Sequence, residues 1–249
     1  MELGAGDGCR QASPCELHMP RAATVDIQIS AEYVVNAIRV MHKRAGKKIS
    51  IVGHSQGGMI GRWAMKYWPD TRKMVDDYVG LVASNHGTTY AALPCSMPGG
   101  CAAAIWQQNA GSKFITAINT GPETWPGVSY TEIVTVYDEI VGPSTSGFLT
   151  PGPNVTNTTV QAICPLETAD HFAMAYDNAA WLVGIDALTH LGPARLSRVS
   201  RATCGRLTMP SVNLATFSLD LAAAMAVVVQ SSLTAERFPA EPALRAYAR

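Results

Sequence analysis

The sequence has little charge and no long hydrophobic run. Only 15% of its 249 residues are charged, and 19 basic residues balance 19 acidic ones. Surfaces that bind nucleic acid or anionic membranes need clustered basic residues, so we expect neither as a partner. The longest strongly apolar run, LAAAMAVVV at 221–229, is much shorter than the ~20 residues that span a bilayer. The run therefore predicts a buried helix and no integral membrane span.

Metal-binding cysteine patterns are also missing. The six cysteines include no C-x-x-C pair, and no Cys/His cluster has the spacing of zinc ligands. We therefore expect no metal and predict disulfides instead. Short gaps in sequence favour two local pairs and leave a third, namely Cys9 with Cys15, Cys95 with Cys101, and Cys164 with Cys204.

Two further features bear on the compartment. N-x-T sequons at Asn154 and Asn157 suit a surface loop of an exported protein, and disulfides form in oxidising compartments. The first residues lack the basic and apolar regions of a signal peptide. We expect a secreted protein whose signal peptide is not in this chain.

Hydrophobic periodicity alternates between helices and short strands, which predicts one α/β domain over 1–249 with a mostly parallel sheet and helices on both faces. The predicted helices cover 29–44, 57–68, most of 100–119, 171–189 and about 215–233. The predicted strands are KKISIVG, DYVGLVAS, the segment that ends near Asp138, and VQAIC at 160–164. We expect 142–159 to be a loop, 1–20 to be irregular, and 235–249 to form an irregular tail.

Ser55 is the strongest candidate for a chemical role. It lies in IVGHSQGGMIG, a G-x-S-x-G motif between a predicted strand and a predicted helix. Gly53, Gly57 and Gly58 would let the backbone turn sharply there and present the hydroxyl group. A glycine-rich turn with no catalytic duty is the alternative, but the strand before the motif and the helix after it favour a nucleophile.

An acid and a base follow Ser55 in the order that an α/β-hydrolase needs. Asp138 comes directly after a predicted strand, whereas Glu139 should point to the other side of the strand end. His171 lies on a later loop and is the predicted base. His86 precedes Asp138 and so breaks the order; we interpret it as a pocket or structural residue. His54 adjoins Ser55 and cannot easily face it.

With these residues placed, the chain resembles the lipase B-like family of α/β-hydrolases, which are serine lipases and esterases. The resemblance runs through EYVVNAI, SQGG, IWQQNAGS, YDEIVGP, VQAICPL, DHFAM and EPALRAYAR. It implies the same nucleophile, acid and base, a Cys164–Cys204 disulfide, and the backbone amide of Gln56 as an oxyanion donor. The family's second donor, an upstream threonine, has no counterpart here, so the N-terminal strands are expected to be missing.

The resemblance also implies pocket residues. Trp106 and Gln108 match positions near the family's acyl pocket, and Thr88 should lie close; packing without substrate contact is the alternative for each. His54 replaces a tryptophan and should admit bulkier alcohol groups. Residues 88–105 fall at the family's small lid, which a Cys95–Cys101 bridge would stiffen, so we expect little interfacial activation.

These observations predict a monomeric carboxylic-ester hydrolase with no cofactor. The expected partner is an ester or lipid substrate, met through transient contact with a lipid interface. Fold and catalytic residues do not fix the substrate, so polyester hydrolysis and acyl transfer stay open. A truncated homologue without catalytic activity is the alternative from another class.

Overall fold

The computed structural model describes residues 15–249. The predicted Cys9–Cys15 pair and most of the irregular segment 1–20 therefore lie outside the described residues. The helices are α1 (Ile27–Ala45), α2 (Gln56–Tyr67), α3 (Ala92–Ser96), α4 (Ala103–Gln108), α5 (Lys113–Asn119), α6 (Asn178–Thr189) and α7 (Phe217–Thr234). The strands are β1 (Ile49–His54), β2 (Val75–Leu81), β3 (Cys101–Ala102), β4 (Ser129–Val134), β5 (Val155–Thr159) and β6 (Arg237–Phe238).

Four parallel strands form the central sheet in the order β1-β2-β4-β5. β3 and β6 pair separately as a short antiparallel ribbon. β1 is an edge strand of the described sheet, and Val52 on it is 55% exposed. Parallel strands joined through helices confirm the predicted fold class.

Each face of the sheet buries its own hydrophobic cluster. On one face α1, α2 and α5 pack against Tyr78 and Tyr130, and the rings of Trp63 and Phe114 stack with centroids 4.0 Å apart. On the other face α6 packs against Val79 and Ile133. Helices therefore cover both faces of the sheet, and the carboxyl ends of the strands are left to loops.

The prediction of a strand at VQAIC is wrong. Residues Val160–Ala162 form a 3-10 turn, and the strand is β5, inside the segment predicted to be a loop. β5 pairs on one side only and buries little of its length, so its polar sequence shows no apolar alternation.

The two sequons lie in or beside β5 and not on a free loop. The Asn154 amide donates to the carbonyls of Trp125 and Val128 at 3.2 and 2.9 Å. The Asn157 amide donates to the Leu149 carbonyl at 2.7 Å. Both side chains therefore hold neighbouring loops, and the sequons lose their value as a sign of export.

Two helix predictions also need correction. The helix predicted from residue 171 begins at Asn178, because Asp177 caps it by accepting from the Ala180 amide at 2.7 Å. α7 lies where a helix was predicted, but none of its residues is buried. By length and composition, α7 is the one helix within residues 15–249 that could cross a membrane.

Two of the predicted disulfides fall within the described residues, and both are present. Cys95–Cys101 closes a short loop inside the lid-like segment 88–105, and Cys164–Cys204 spans 40 residues. The lid-like segment contains α3, β3 and the start of α4. The C-terminal tail is irregular except for β6 and a 3-10 turn at Ala246–Ala248.

Candidate active site

Ser55 lies in the sharp turn between β1 and α2. Its φ of 56° and ψ of −125° are outside the helical and strand regions, and such strain at a residue with a side chain is typical of functional sites. The Ser55 amide donates to the Leu81 carbonyl at 2.8 Å, which ties the turn to the end of β2. The Ser55 side chain makes no capping bond to α2. The hydroxyl group is therefore available for chemistry.

Two glycines let α2 pack against the turn. A Cβ atom added to Gly53 would lie 2.1 Å from the Gly57 carbonyl oxygen, and one added to Gly58 would lie 2.7 Å from the Ala83 Cβ. A Cβ added to Gly57 meets nothing within 4 Å. Close approach thus requires glycine at positions 53 and 58 but not at 57.

Asp138 lies in the loop after β4, with its side chain almost fully buried. Its Oδ1 accepts the backbone amides of Ile140 and Val141 at 2.9 and 2.7 Å, which fixes the turn. Both carboxylate oxygens also face the Nδ1 atom of His171, at 2.9 and 3.0 Å. The carboxylate therefore directs the His171 ring through Nδ1, which leaves Nε2 to accept a proton.

His171 is 2% exposed and lies in the loop before α6. Its backbone amide donates to Glu139 Oε2 at 2.9 Å. The prediction that Glu139 points away was therefore wrong. β4 ends at Val134, so the alternation of a strand no longer applies at position 139.

His54 also contacts His171. Its Nε2 lies 2.7 Å from the His171 carbonyl oxygen, and the two rings pack edge to face with centroids 4.9 Å apart. Since a carbonyl only accepts, the His54 Nε2 carries the proton. Burial lowers the pKa of His54, which favours the neutral ring.

Gln56 is the first residue of α2. Backbone amides in the first turn of a helix have no partner within that helix, and the helix dipole favours an anion there. The Gln56 side chain donates to the Ala23 carbonyl at 3.2 Å and so lies away from its own amide. The role of the Gln56 backbone amide as an oxyanion donor stays a prediction.

The remaining predicted pocket residues make structural contacts. Thr88 donates to the Ile140 carbonyl at 2.7 Å and accepts from the Gly142 amide, which ties it to the loop that carries Asp138. Gln108 accepts from Ser84 at 2.8 Å. Trp106 donates to the Phe238 carbonyl at 2.8 Å. Contact of these three residues with substrate stays a prediction.

His86 makes structural contacts through both ring nitrogens. Its Nδ1 lies 2.9 Å from the Ser146 carbonyl oxygen and its Nε2 lies 3.0 Å from Glu123 Oε1. The hydrogen bond to Glu123 raises the pKa of His86. This agrees with its interpretation as a pocket or structural residue.

Two fully buried ionisable side chains, Arg62 and Glu132, were not predicted from the sequence. Arg62 on α2 is fully buried and donates to the side chains of Asn85 and Asn119 at 3.0 and 2.9 Å. Glu132 on β4 is also fully buried and lies opposite Gly80 of β2. Burial raises the pKa of Glu132 to about 8. Ionisable residues in predicted helices and strands are normally assigned to the surface, so the sequence carried no signal for the burial of either residue.

A cavity of about 750 Å³ opens beside the loop that carries His171, between residues 167–170 and the segment 206–217. Its apolar lining includes Leu207, Leu214 and Phe217, and Asp170, the residue before His171, also lines it. No group of three or more His, Cys, Asp or Glu residues that could hold a metal ion occurs within residues 15–249.

Similarity to known proteins identifies the family of the chain. Residues 32–180 match the family described as Lipase (class 2). The chain is 30% identical to lipase B of Pseudozyma antarctica, over 95% of this chain and 70% of that protein. The crystal structure of Aspergillus fumigatus lipase B superposes with a TM-score of 0.87 and 31% identity.

Each match covers a larger share of this chain than of the other protein. The Aspergillus match covers 94% of this chain but 59% of the Aspergillus chain, so this chain spans less than two thirds of that relative. Bacillus licheniformis lipase BlEst2 in its propeptide form shares only the fold, with a TM-score of 0.51 and 17% identity over 69% of this chain and 42% of that one. The match over most of this chain, in sequence and in fold, shows that the chain belongs to the class 2 lipase family and has the α/β-hydrolase fold.

Proposed function

We propose that the chain is a serine hydrolase of carboxylic esters, with Ser55 as nucleophile, His171 as base and Asp138 as the acid that orients His171. The observation that carries the proposal is the contact of both Asp138 oxygens with Nδ1 of His171 at 2.9 and 3.0 Å. Membership of a lipase family supports the same activity. The strained turn at Ser55 supports its role as nucleophile.

The proposed reaction runs through an acyl-enzyme. His171 Nε2 takes the Ser55 proton while Ser55 Oγ attacks the ester carbonyl carbon, and the Gln56 amide donates to the oxyanion. The protonated ring then gives its proton to the departing alkoxide, which leaves as the alcohol. Water attacks the acyl-enzyme, His171 takes a proton from that water, and the acid is released as Ser55 regains its proton. Asp138 stabilises the imidazolium ion in both halves.

The reaction as written uses side chains, one backbone amide and water, and so requires no cofactor. The apolar cavity beside the loop that carries His171 is a candidate site for the apolar part of an ester or lipid. We also propose a secreted protein, since the disulfides Cys95–Cys101 and Cys164–Cys204 fit an oxidising compartment.

Reaction with a fluorophosphonate probe tests the proposal. The folded wild-type chain should be labelled and should hydrolyse p-nitrophenyl butyrate, whereas Ser55→Ala should do neither. Ser197→Ala is the matched control, because Ser197 is an exposed serine on a 3-10 turn far along the chain, and it should behave as wild type.

The outcomes separate the alternatives. Folded wild-type protein that resists the probe would mean a homologue without catalytic activity. If the probe reacts, rates on p-nitrophenyl esters of increasing chain length distinguish an esterase from a lipase. Faster product formation with an added alcohol than with water would mean an acyltransferase.

A further inference from the structure

Three side chains hold His171 at three different atoms. Asp138 accepts from the ring at Nδ1, Glu139 accepts from the backbone amide at 2.9 Å, and His54 donates to the backbone carbonyl at 2.7 Å. The first of these contacts belongs to the proposed catalytic triad. The other two act on the main chain of the base.

The main chain of His171 has particular need of partners. The residue is 2% exposed and lies in an irregular loop, where no helix or strand pairs its backbone groups. A buried amide or carbonyl without a hydrogen-bond partner destabilises the folded state. A loop without such partners would also leave the ring free to shift relative to the serine.

The two partners are chain neighbours of the nucleophile and the acid. His54 precedes Ser55, and Glu139 follows Asp138. Two dipeptides, 54–55 and 138–139, therefore converge on His171, and each supplies one triad member and one contact to the main chain of the base. A shift of the His171 main chain relative to either dipeptide must stretch one of these two bonds.

We propose that Glu139 and His54 are positioning residues that hold the main chain of His171, Glu139 at the amide and His54 at the carbonyl. The proposal rests on the proposed function and deepens it. The His54 ring adds a packing contact at 4.9 Å between centroids, so its contribution has a hydrogen-bonded part and a steric part. A misplacement of about 1 Å in a catalytic group can lower the rate by on the order of 10²-fold.

Paired substitutions separate the hydrogen bonds from other effects. Glu139→Gln keeps an acceptor oxygen at the end of the side chain, whereas Glu139→Ala removes it. His54→Gln keeps an N–H donor, whereas His54→Phe keeps an aromatic ring without a donor. Glu139 is exposed, so its replacement by alanine should leave the core packing unchanged.

The readouts are kcat and KM on p-nitrophenyl butyrate, and the rate of fluorophosphonate labelling. Glu139→Ala and His54→Phe should lower kcat and the labelling rate roughly 10- to 100-fold with KM changed less than about threefold. The two glutamine variants should recover most of that loss. Asp76→Ala, which removes an exposed ion pair at the start of β2, is the control and should equal wild type.

Each contrary result has a distinct meaning. Wild-type protein that is not labelled defeats the proposed function itself. Labelled wild type with unchanged kcat in folded Glu139→Ala and His54→Phe overturns the positioning role and leaves the function standing. Unfolding of the Glu139→Ala or His54→Phe variant alongside a folded glutamine counterpart would assign that bond to the fold instead, and also overturns the proposal.

Discussion

Asp138 does two jobs with one carboxylate. Its Oδ1 holds the turn through two backbone amides, and both oxygens face His171 Nδ1. Because Nδ1 must carry the proton to donate there, Nε2 is left as the basic atom. The side chain therefore fixes both the shape of its loop and the tautomer of His171.

The variant Asp138→Asn separates these two jobs. The asparagine oxygen can still accept the two backbone amides, but its NH₂ group would face Nδ1 and favour the wrong tautomer. We expect kcat for p-nitrophenyl butyrate to fall on the order of 10³- to 10⁴-fold, with little change in KM or in the thermal midpoint. A loss of less than about tenfold would argue against Asp138 as the orienting acid.

The sequence predicted the residues of the candidate triad because they follow local signals: a glycine-flanked serine, an aspartate after a strand, and a histidine in the expected order. The contacts of His54 and Glu139 with the main chain of His171 were not predictable. Both depend on the path of irregular loops, which hydrophobic periodicity does not encode.

At the scale of elements, the junction of β1 and α2 depends on space between backbones. A Cβ atom at position 53 would collide with the first turn of α2, whereas one at position 57 would meet nothing within 4 Å. Gly53 and Gly57 are therefore not equivalent, although the G-x-S-x-G motif has glycine at both positions.

We expect Gly53→Ala to be poorly folded or to lose at least about 2 kcal/mol of unfolding free energy, because backbone atoms must move. Gly57→Ala should fold normally and label with the fluorophosphonate at close to the wild-type rate, because alanine also favours the helix. Urea unfolding and probe labelling of both variants check this. Equal behaviour of the two variants would contradict the geometry.

The elements that the sequence predicted best are those with a strong apolar face, such as α1 and α2. β5 was missed because an edge strand with little burial needs no apolar alternation. α7 was placed correctly but predicted to be buried, since an apolar pattern around a whole helix does not name what covers it.

At the scale of the whole molecule, the buried Glu132 should make stability depend on pH. Burial raises the pKa of Glu132 from 4.5 in the unfolded chain to about 8 in the folded protein. Between these values the folded state holds a proton that the unfolded state has released. This contribution to stability is therefore full below pH 4.5 and is lost progressively as the pH rises to about 8.

The variant Glu132→Gln isolates this effect, since it leaves the other titrating groups in place. The free energy of unfolding of the wild type should fall by up to about 1.4 kcal/mol per pH unit more steeply than that of the variant. Urea unfolding between pH 5 and pH 8 measures both slopes. Parallel slopes would mean that Glu132 keeps the same pKa in both states.

The Cys164–Cys204 bridge has a consequence for how the protein should be produced. The bridge encloses 40 residues of chain, and His171 and α6 lie within that span. Closing a loop of this length removes roughly 4 kcal/mol of chain entropy from the unfolded state. In a reducing host cytoplasm this disulfide would not form, and the segment that carries His171 would lack the constraint. Expression through a periplasm or a secretory pathway, or refolding with a thiol–disulfide buffer, is therefore the suitable route to protein for every assay above.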